Sequence, residues 1–229
     1  RNSKMRQEFT ANVSHELKTP LTSISGYAEL IESGIAQGED TVRFAGEIHK
    51  SSQRLLTLIN DILRLSQLDS VEECVDTEPV DLYEMALNCQ DMLEMQANKH
   101  QVVVRVKGTS EVIQANRRMI DELIYNLCDN AIRYNCVGGS VNVTIGEEDH
   151  HPFVSVKDTG IGVSKEDQER IFERFYRVDK ARSRETGGTG LGLAITRNVV
   201  LMHKGSIRVH SKEGEGATFI IRIPLNYIS

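Results

Sequence analysis

Near the start of the chain, Leu17, Leu21, Ile24, Ala28 and Ile31 recur at alternating steps of four and three. That spacing is the a/d seam of a helix packed against other helices, and it predicts a helix over residues 3–35. With Leu17 at d, His15 falls at b, Glu16 at c and Thr19 at f, so all three point away from the seam. Pro20 lies inside the same pattern, lacks the amide that would bond the Glu16 carbonyl, and favours a kink there. A polar, glycine-containing turn over residues 34–40 ends this helix. Ile48, Leu55, Leu58, Ile62 and Leu65 then mark a second helix over residues 41–69. Two helices cannot bury stripes of this length unaided, so the hairpin is expected to dimerise into a four-helix bundle. On periodicity alone a purely structural coiled-coil hairpin fits equally well.

Beyond the hairpin the pattern changes. Residues 70–79 are acidic and carry Pro79, which sets the expected organisation: a hairpin domain over 1–70, a hinge over 71–79 and a second domain over 80–229. A helical stretch at 81–98 leads to alternating strand patterns at 101–106 and 112–115, a helix at 117–134, and strands at 140–145, 153–157, 206–210 and 218–223. The fold expected is therefore multidomain, α followed by α+β: the hairpin, then an α/β sandwich with helices on one face of a mixed sheet and a long polar loop over the other.

Composition narrows the function. The chain has 229 residues, 39% of them apolar and 26% charged, which suits two ordinary domains and gives no sign of disorder. A net charge of −6 argues against a general nucleic-acid binder, which needs a basic face. Cys74, Cys89, Cys128 and Cys136 form no CxxC pair and are expected to be reduced thiols, and His150 and His151 lack the spacing of metal ligands. No apolar run approaches the length that spans a bilayer, and the opening RNSKMRQEF is not a signal peptide; it starts as an excised helix would, which leaves room for an upstream sensor or membrane segment.

Three polar stretches suit a nucleotide. Asn126 and Asn130 stand four apart on one helix face, with Arg133 and Tyr134 a turn further on. Neutral amides can ligate Mg²⁺ when phosphates supply the charge, although asparagines that bond a loop backbone would look the same. Asp158, Gly160 and Gly162 follow a strand; the glycines allow close approach to a flat ligand, and the carboxylate can accept from an adenine amino group. Gly188, Thr189, Gly190, Leu191 and Gly192 open a helix, so free amides there can face phosphates. They match neither the GxGxxG of a dinucleotide fold nor a P-loop. Phe172 and Phe175, at helical spacing, are expected to pack beneath the site, and residues 177–186, with Lys180, Arg182 and Arg184, to form a mobile lid.

Taken in series, NVSHELKTPL, NLCDNAIRY, DTGIG, FERFYR and GGTGLGL resemble the H, N, G1, F and G2 boxes of sensor histidine kinases. The wording around the first is nearest to the phosphate-response type. The resemblance implies a dimeric phosphoacceptor hairpin followed by an ATP-binding domain of the gyrase, Hsp90 and MutL type. It implies His15 as phosphoacceptor, Glu16 as its acid/base neighbour and Thr19 as part of a phosphatase motif. It further implies Asn130 and Asn126 as Mg²⁺ amides, Asp158 as reader of adenine, ATP and Mg²⁺ as cofactors, and a response-regulator receiver domain as partner. The expected setting is the cytoplasmic portion of a membrane-anchored sensor. Arg133 stands where lysine is common and Asn135 where Ser or Thr is frequent. Rival functions are an ATP-binding dimeric adaptor, a regulator phosphatase without net kinase activity, and an ATP-gated clamp.

Overall fold

A computed structural model describes residues 2–70, 76–179 and 187–224. Two long helices, α1 (Asn2–Glu32) and α2 (Glu39–Ser70), form the hairpin, and α1 runs unbroken through a buried Pro20. The turn between them is closed by the Ala36 amide, which donates to the Leu30 carbonyl at 2.9 Å. Seam residues are unequally covered: Leu58 and Leu65 are buried, whereas Leu21 stays 50% exposed.

The strands follow the expected order with one addition. A strand β1 (Glu78–Asp81) lies where a linker and a helix start were expected, because Pro79 and two acidic residues are poor strand formers taken by themselves. It pairs antiparallel with β3 (Val112–Ala115) as a separate ribbon. The main sheet comprises β2 (Val103–Gly108), β4 (Ser140–Glu148), β5 (His151–Asp158), β6 (Ser206–Ser211) and β7 (Ala217–Arg222), in the order β2-β4-β5-β7-β6. The β2–β4 pair is parallel and the rest antiparallel, so the sheet is mixed.

Helices α3 (Leu82–Lys99), α4 (Arg117–Arg133) and α5 (Gly192–Met202) cover this sheet. Along β4 and β5 every second residue is buried, Val141, Val143 and Ile145 on one strand and Val154 and Val156 on the other. This is the period-two alternation of a sheet with one face packed. Against them α4 sets Ile120, Leu123, Ile124, Leu127 and Ala131, a stripe at helical spacing. At roughly 1.5–3 kcal/mol for each such side chain buried, this interface fixes the rotation of α4 and with it the direction of the polar flank that carries Asn126 and Asn130. Two of these helices carry side-chain N-caps: Asp81 accepts from the Tyr83 amide and Asn116 from the Met119 amide.

Between β5 and α5 the described residues form turns rather than helix or strand. Ile171 is buried and Phe172 meets Phe219 edge-on at 6.3 Å, so the first aromatic of the FERFYR stretch joins the core as expected. Phe175 packs against the core as well, and meets α1 there. It takes φ +64°, donates its amide to the Gly190 carbonyl at 2.8 Å, and lays its ring 5.7 Å from that of Phe9 on α1.

Candidate functional site

The site is assembled where the end of α4, the turn after β5 and the start of α5 converge. The Tyr134 amide caps α4 through the Asn130 carbonyl at 3.1 Å, and the Tyr134 carbonyl accepts the Ile161 amide at 3.1 Å. The amide-bearing helix and the DTGIG turn are thus joined through a single residue. Gly160 is required there, since a Cβ would lie 2.2 Å from the Tyr134 carbonyl oxygen. Asp158 is buried at the strand end. Its Oδ1 accepts from the amides of Gly160 at 2.8 Å and Ala217 at 3.2 Å. Burial raises its pKa and these two bonds oppose the rise. Among the described residues both bonds fall on one oxygen, and Oδ2 is open to a ligand.

Asn126 and Asn130 are half-buried, and neither side chain has a recorded hydrogen bond, although Asp129 between them is held by Gln96 Nε2 and by the Arg133 guanidinium at 2.8 Å. Among the described residues neither amide has a hydrogen-bond partner, so both are open to a ligand; neutral amide oxygens suit a hydrated Mg²⁺ carried in on phosphates, and the neighbouring guanidinium suits the phosphates themselves. Arg133 also reaches Gly187, where its Nη1 would lie 3.4 Å from an added Cβ. The expected lid residues Lys180, Arg182 and Arg184 lie outside the described residues.

The glycine-rich stretch forms the third side. Gly188 is half-buried, Thr189 and Leu191 are buried, Gly190 takes φ +76°, and Gly192 begins α5. The Leu191 amide donates to Thr189 Oγ1 at 3.3 Å, and Thr189 Oγ1 donates to Asp61 Oδ2 of α2 at 2.6 Å. Burial raises the Asp61 pKa, and the bond from Thr189 pulls the other way.

His15 is exposed on α1, as the heptad reading requires, and so is Thr19, whose hydroxyl donates weakly to the His15 carbonyl at 3.4 Å. Glu16 behaves differently from the reading of an outward face. Its side chain is only 19% exposed and its Oε2 accepts from Arg177 Nη2 at 2.9 Å. The same nitrogen donates to the Thr189 carbonyl at 2.8 Å. A cationic side chain 5% exposed therefore joins the neighbour of the histidine to the glycine-rich loop. Further contacts run between hairpin and sheet domain: Arg174 Nη2 donates to both carboxylate oxygens of Asp69 and Arg64 pairs with Glu122, each at 2.7–2.8 Å.

Asp61 and Arg177 are the residues that sequence reasoning passed over as individual site members. Arg177 was grouped with the lid. For Asp61 the available signal was a carboxylate three residues after Leu58 and four before Leu65, beside the seam rather than opposite it.

Comparison with known proteins places both halves. Residues 5–71 match the His Kinase A (phospho-acceptor) domain, and residues 115–227 match the histidine kinase-, DNA gyrase B- and HSP90-like ATPase family. The chain is 41% identical over 221 residues to the sensor-like histidine kinase SenX3 of Mycolicibacterium smegmatis, which covers 96% of this chain and 57% of that protein. With the sensor histidine kinase WalK of Bacillus subtilis it shares 38% identity over 223 residues, covering 96% of this chain and 36% of that protein. The chain thus spans from about a third to just over half of these relatives. Among solved structures, histidine kinase ThkA in complex with response regulator protein TrrA superposes with a TM-score of 0.77 at 25% identity, over 97% of this chain and 64% of that one. With a phosphoacceptor-type hairpin, an ATPase-type sandwich and relatives of this kind along almost its whole length, the chain belongs to the sensor histidine kinases of two-component systems.

Proposed function

We propose that this chain phosphorylates His15 at the expense of ATP, passes the phosphoryl group to an aspartate of a response regulator, and with Thr19 hydrolyses that phospho-aspartate. The observation that carries the reading is the Arg177 nitrogen bonded at once to Glu16 and to the Thr189 carbonyl, which sets the glycine-rich loop beside the histidine's neighbour on α1. In this reading residues 1–70 are the phosphoacceptor hairpin, 71–79 the hinge and 80–229 the ATP-binding domain. The whole protein would add a sensing and membrane-anchoring segment; among the described residues no helix is long and apolar enough to cross a membrane.

Asp158 Oδ2 accepts the adenine amino group, while Gly160 and Gly162 let the base approach the backbone. The amides of Gly190, Leu191 and Gly192 and the Arg133 guanidinium take the phosphates, with Gly188 and Thr189 setting the loop and Tyr134 closing the site at the end of α4. Asn126 and Asn130 would hold Mg²⁺, which would offset phosphate charge. The unprotonated ring nitrogen of His15 attacks the γ-phosphorus in line, the bond to the bridging oxygen breaks, and ADP leaves with that electron pair. Glu16 holds the other ring N–H and stabilises the imidazolium once Arg177 has turned from it to the phosphates. The P–N bond formed is labile, which suits onward transfer to a carboxylate. Exposed apolar residues on α2, Leu56, Ile59 and Leu63, supply the face for a second copy and so for the four-helix bundle.

The test is incubation with γ-labelled ATP and Mg²⁺, alongside His15→Gln and Asn130→Ala. Acid-labile, alkali-stable label that is absent from both variants is expected. Equal labelling of His15→Gln would end the assignment, and nucleotide binding without any label would favour the adaptor.

A further inference from the structure

The phosphate-binding loop is already engaged, and by carboxylates. Arg177 Nη2 is shared between Glu16 Oε2 and the Thr189 carbonyl, and the Thr189 hydroxyl passes its proton toward Asp61 Oδ2 while it receives the Leu191 amide. A guanidinium, a hydroxyl and an amide at a helix start are the donors that phosphate oxygens take in a nucleotide site. Here the guanidinium and the hydroxyl donate to carboxylates from two helices of the hairpin, Glu16 of α1 and Asp61 of α2, and the amide donates to Thr189 Oγ1. Neither carboxylate is placed cheaply. Glu16 is only 19% exposed and Asp61 is half-buried, and each is compensated by the donor it holds.

Both carboxylates would stand beside the phosphates of a bound nucleotide. Like charges brought that close in a partly dry site repel, so carboxylates and phosphates compete for these donors.

Building on the nucleotide reading above, we propose that Asp61 is a positioning residue of the ATP site: with Glu16 it holds the phosphate-binding loop in place of phosphate, so that this resting contact with the hairpin, as distinct from the approach of a loaded loop to His15, competes with binding of a nucleoside triphosphate. Asp61 takes the Thr189 hydroxyl in the resting contact and releases it when phosphate arrives. The loop then reports to α2 whether it is loaded, and α2 sets how readily it loads. By linkage the two effects are equal: whatever factor the resting contact takes from nucleotide affinity, nucleotide takes from the resting contact.

The experiment uses the full chain and a non-hydrolysable ATP analogue with Mg²⁺, read by calorimetry, so that phosphoryl transfer plays no part. Asp61→Asn, which keeps shape and removes charge, is expected to bind the analogue on the order of tenfold more tightly than wild type. Glu16→Gln, which frees Arg177, should tighten binding as an independent arm. In a Thr189→Val background the Asp61→Asn gain should vanish, which a general loosening of the fold would not produce. If the wild-type chain binds the analogue and neither carboxylate variant binds it more tightly, the competition is refuted while the ATP reading stands. If the wild-type chain binds no analogue, both fall together.

Discussion

His203 Nε2 accepts the backbone N–H of Asn116 at 3.1 Å, while its Nδ1 donates to the Val199 carbonyl at 2.8 Å. One fully buried ring therefore ties the end of α5, which begins at the glycine-rich loop, to the N-cap of α4, which carries both asparagines. Burial holds the ring's pKa below its ordinary 6.5 and the bond to Val199 opposes this. The unfolded chain thus takes up a proton where the folded chain resists it, so stability is full above about pH 6.5 and is lost as pH falls from there toward the folded value. His203→Phe should destabilise by about 1–3 kcal/mol at neutral pH, since it leaves the Asn116 amide unpaired. It should also flatten the fall in urea midpoint between about pH 7.5 and about pH 5.5.

Asp158→Asn separates folding from binding. The amide oxygen still receives Gly160 and Ala217, and the substitution removes a charge that burial disfavours, so the unfolding midpoint should hold or rise. The new amide hydrogens would oppose the adenine amino group, donor against donor. Affinity for an ATP analogue should fall roughly 10- to 100-fold.

Two glycines with similar backbones should respond differently to alanine. Gly162 has φ +68° and an added Cβ would lie 2.1 Å from the Lys212 carbonyl oxygen, whereas Gly138 has φ +78° and open space around it. Gly138→Ala should cost about 1–2 kcal/mol, the left-handed strain alone. Gly162→Ala should cost more than that and should also weaken nucleotide binding. Thermal melts, in which 1 kcal/mol is worth roughly 2–4 °C at this size, resolve the difference.

The apolar stripe of Leu56, Ile59 and Leu63, 53%, 38% and 56% exposed, bears on assembly. Leu56→Glu with Leu63→Glu should leave helix content intact and shift sedimentation from dimer to monomer. A dimer that survives both charges would place the second copy on another face.

The hairpin and most strands were legible because their patterns are local: a seam at steps of three and four, or alternation within six residues, states its own geometry. Asn126, Asn130, Asp158 and the glycine-rich run stood out because polar groups and glycine interrupt apolar elements at those points. What was not legible depends on residues far apart in the chain. Pro79 and its acidic neighbours give no strand signal until β3 offers a partner. Phe175 packs against the core as its spacing suggests, but its contact with Phe9, 166 positions earlier in the chain, depends on a positive φ that no local pattern announces. Glu16 reads as solvent-facing from its heptad position, and only the approach of Arg177 from the other domain covers it.

The ribbon of β1 and β3 changes what kind of connection joins the two halves. Asn116 Nδ2 holds the Asp76 carbonyl at 3.1 Å, Arg117 pairs with Glu78 at 2.7 Å, and four residues of β1 lie in register with β3. These anchors gather at the first turn of α4. Any displacement that reaches Asp76 is thus not taken up as slack in a string; it is delivered as torque on a stiff grip, at the base of the helix whose far end carries Asn130.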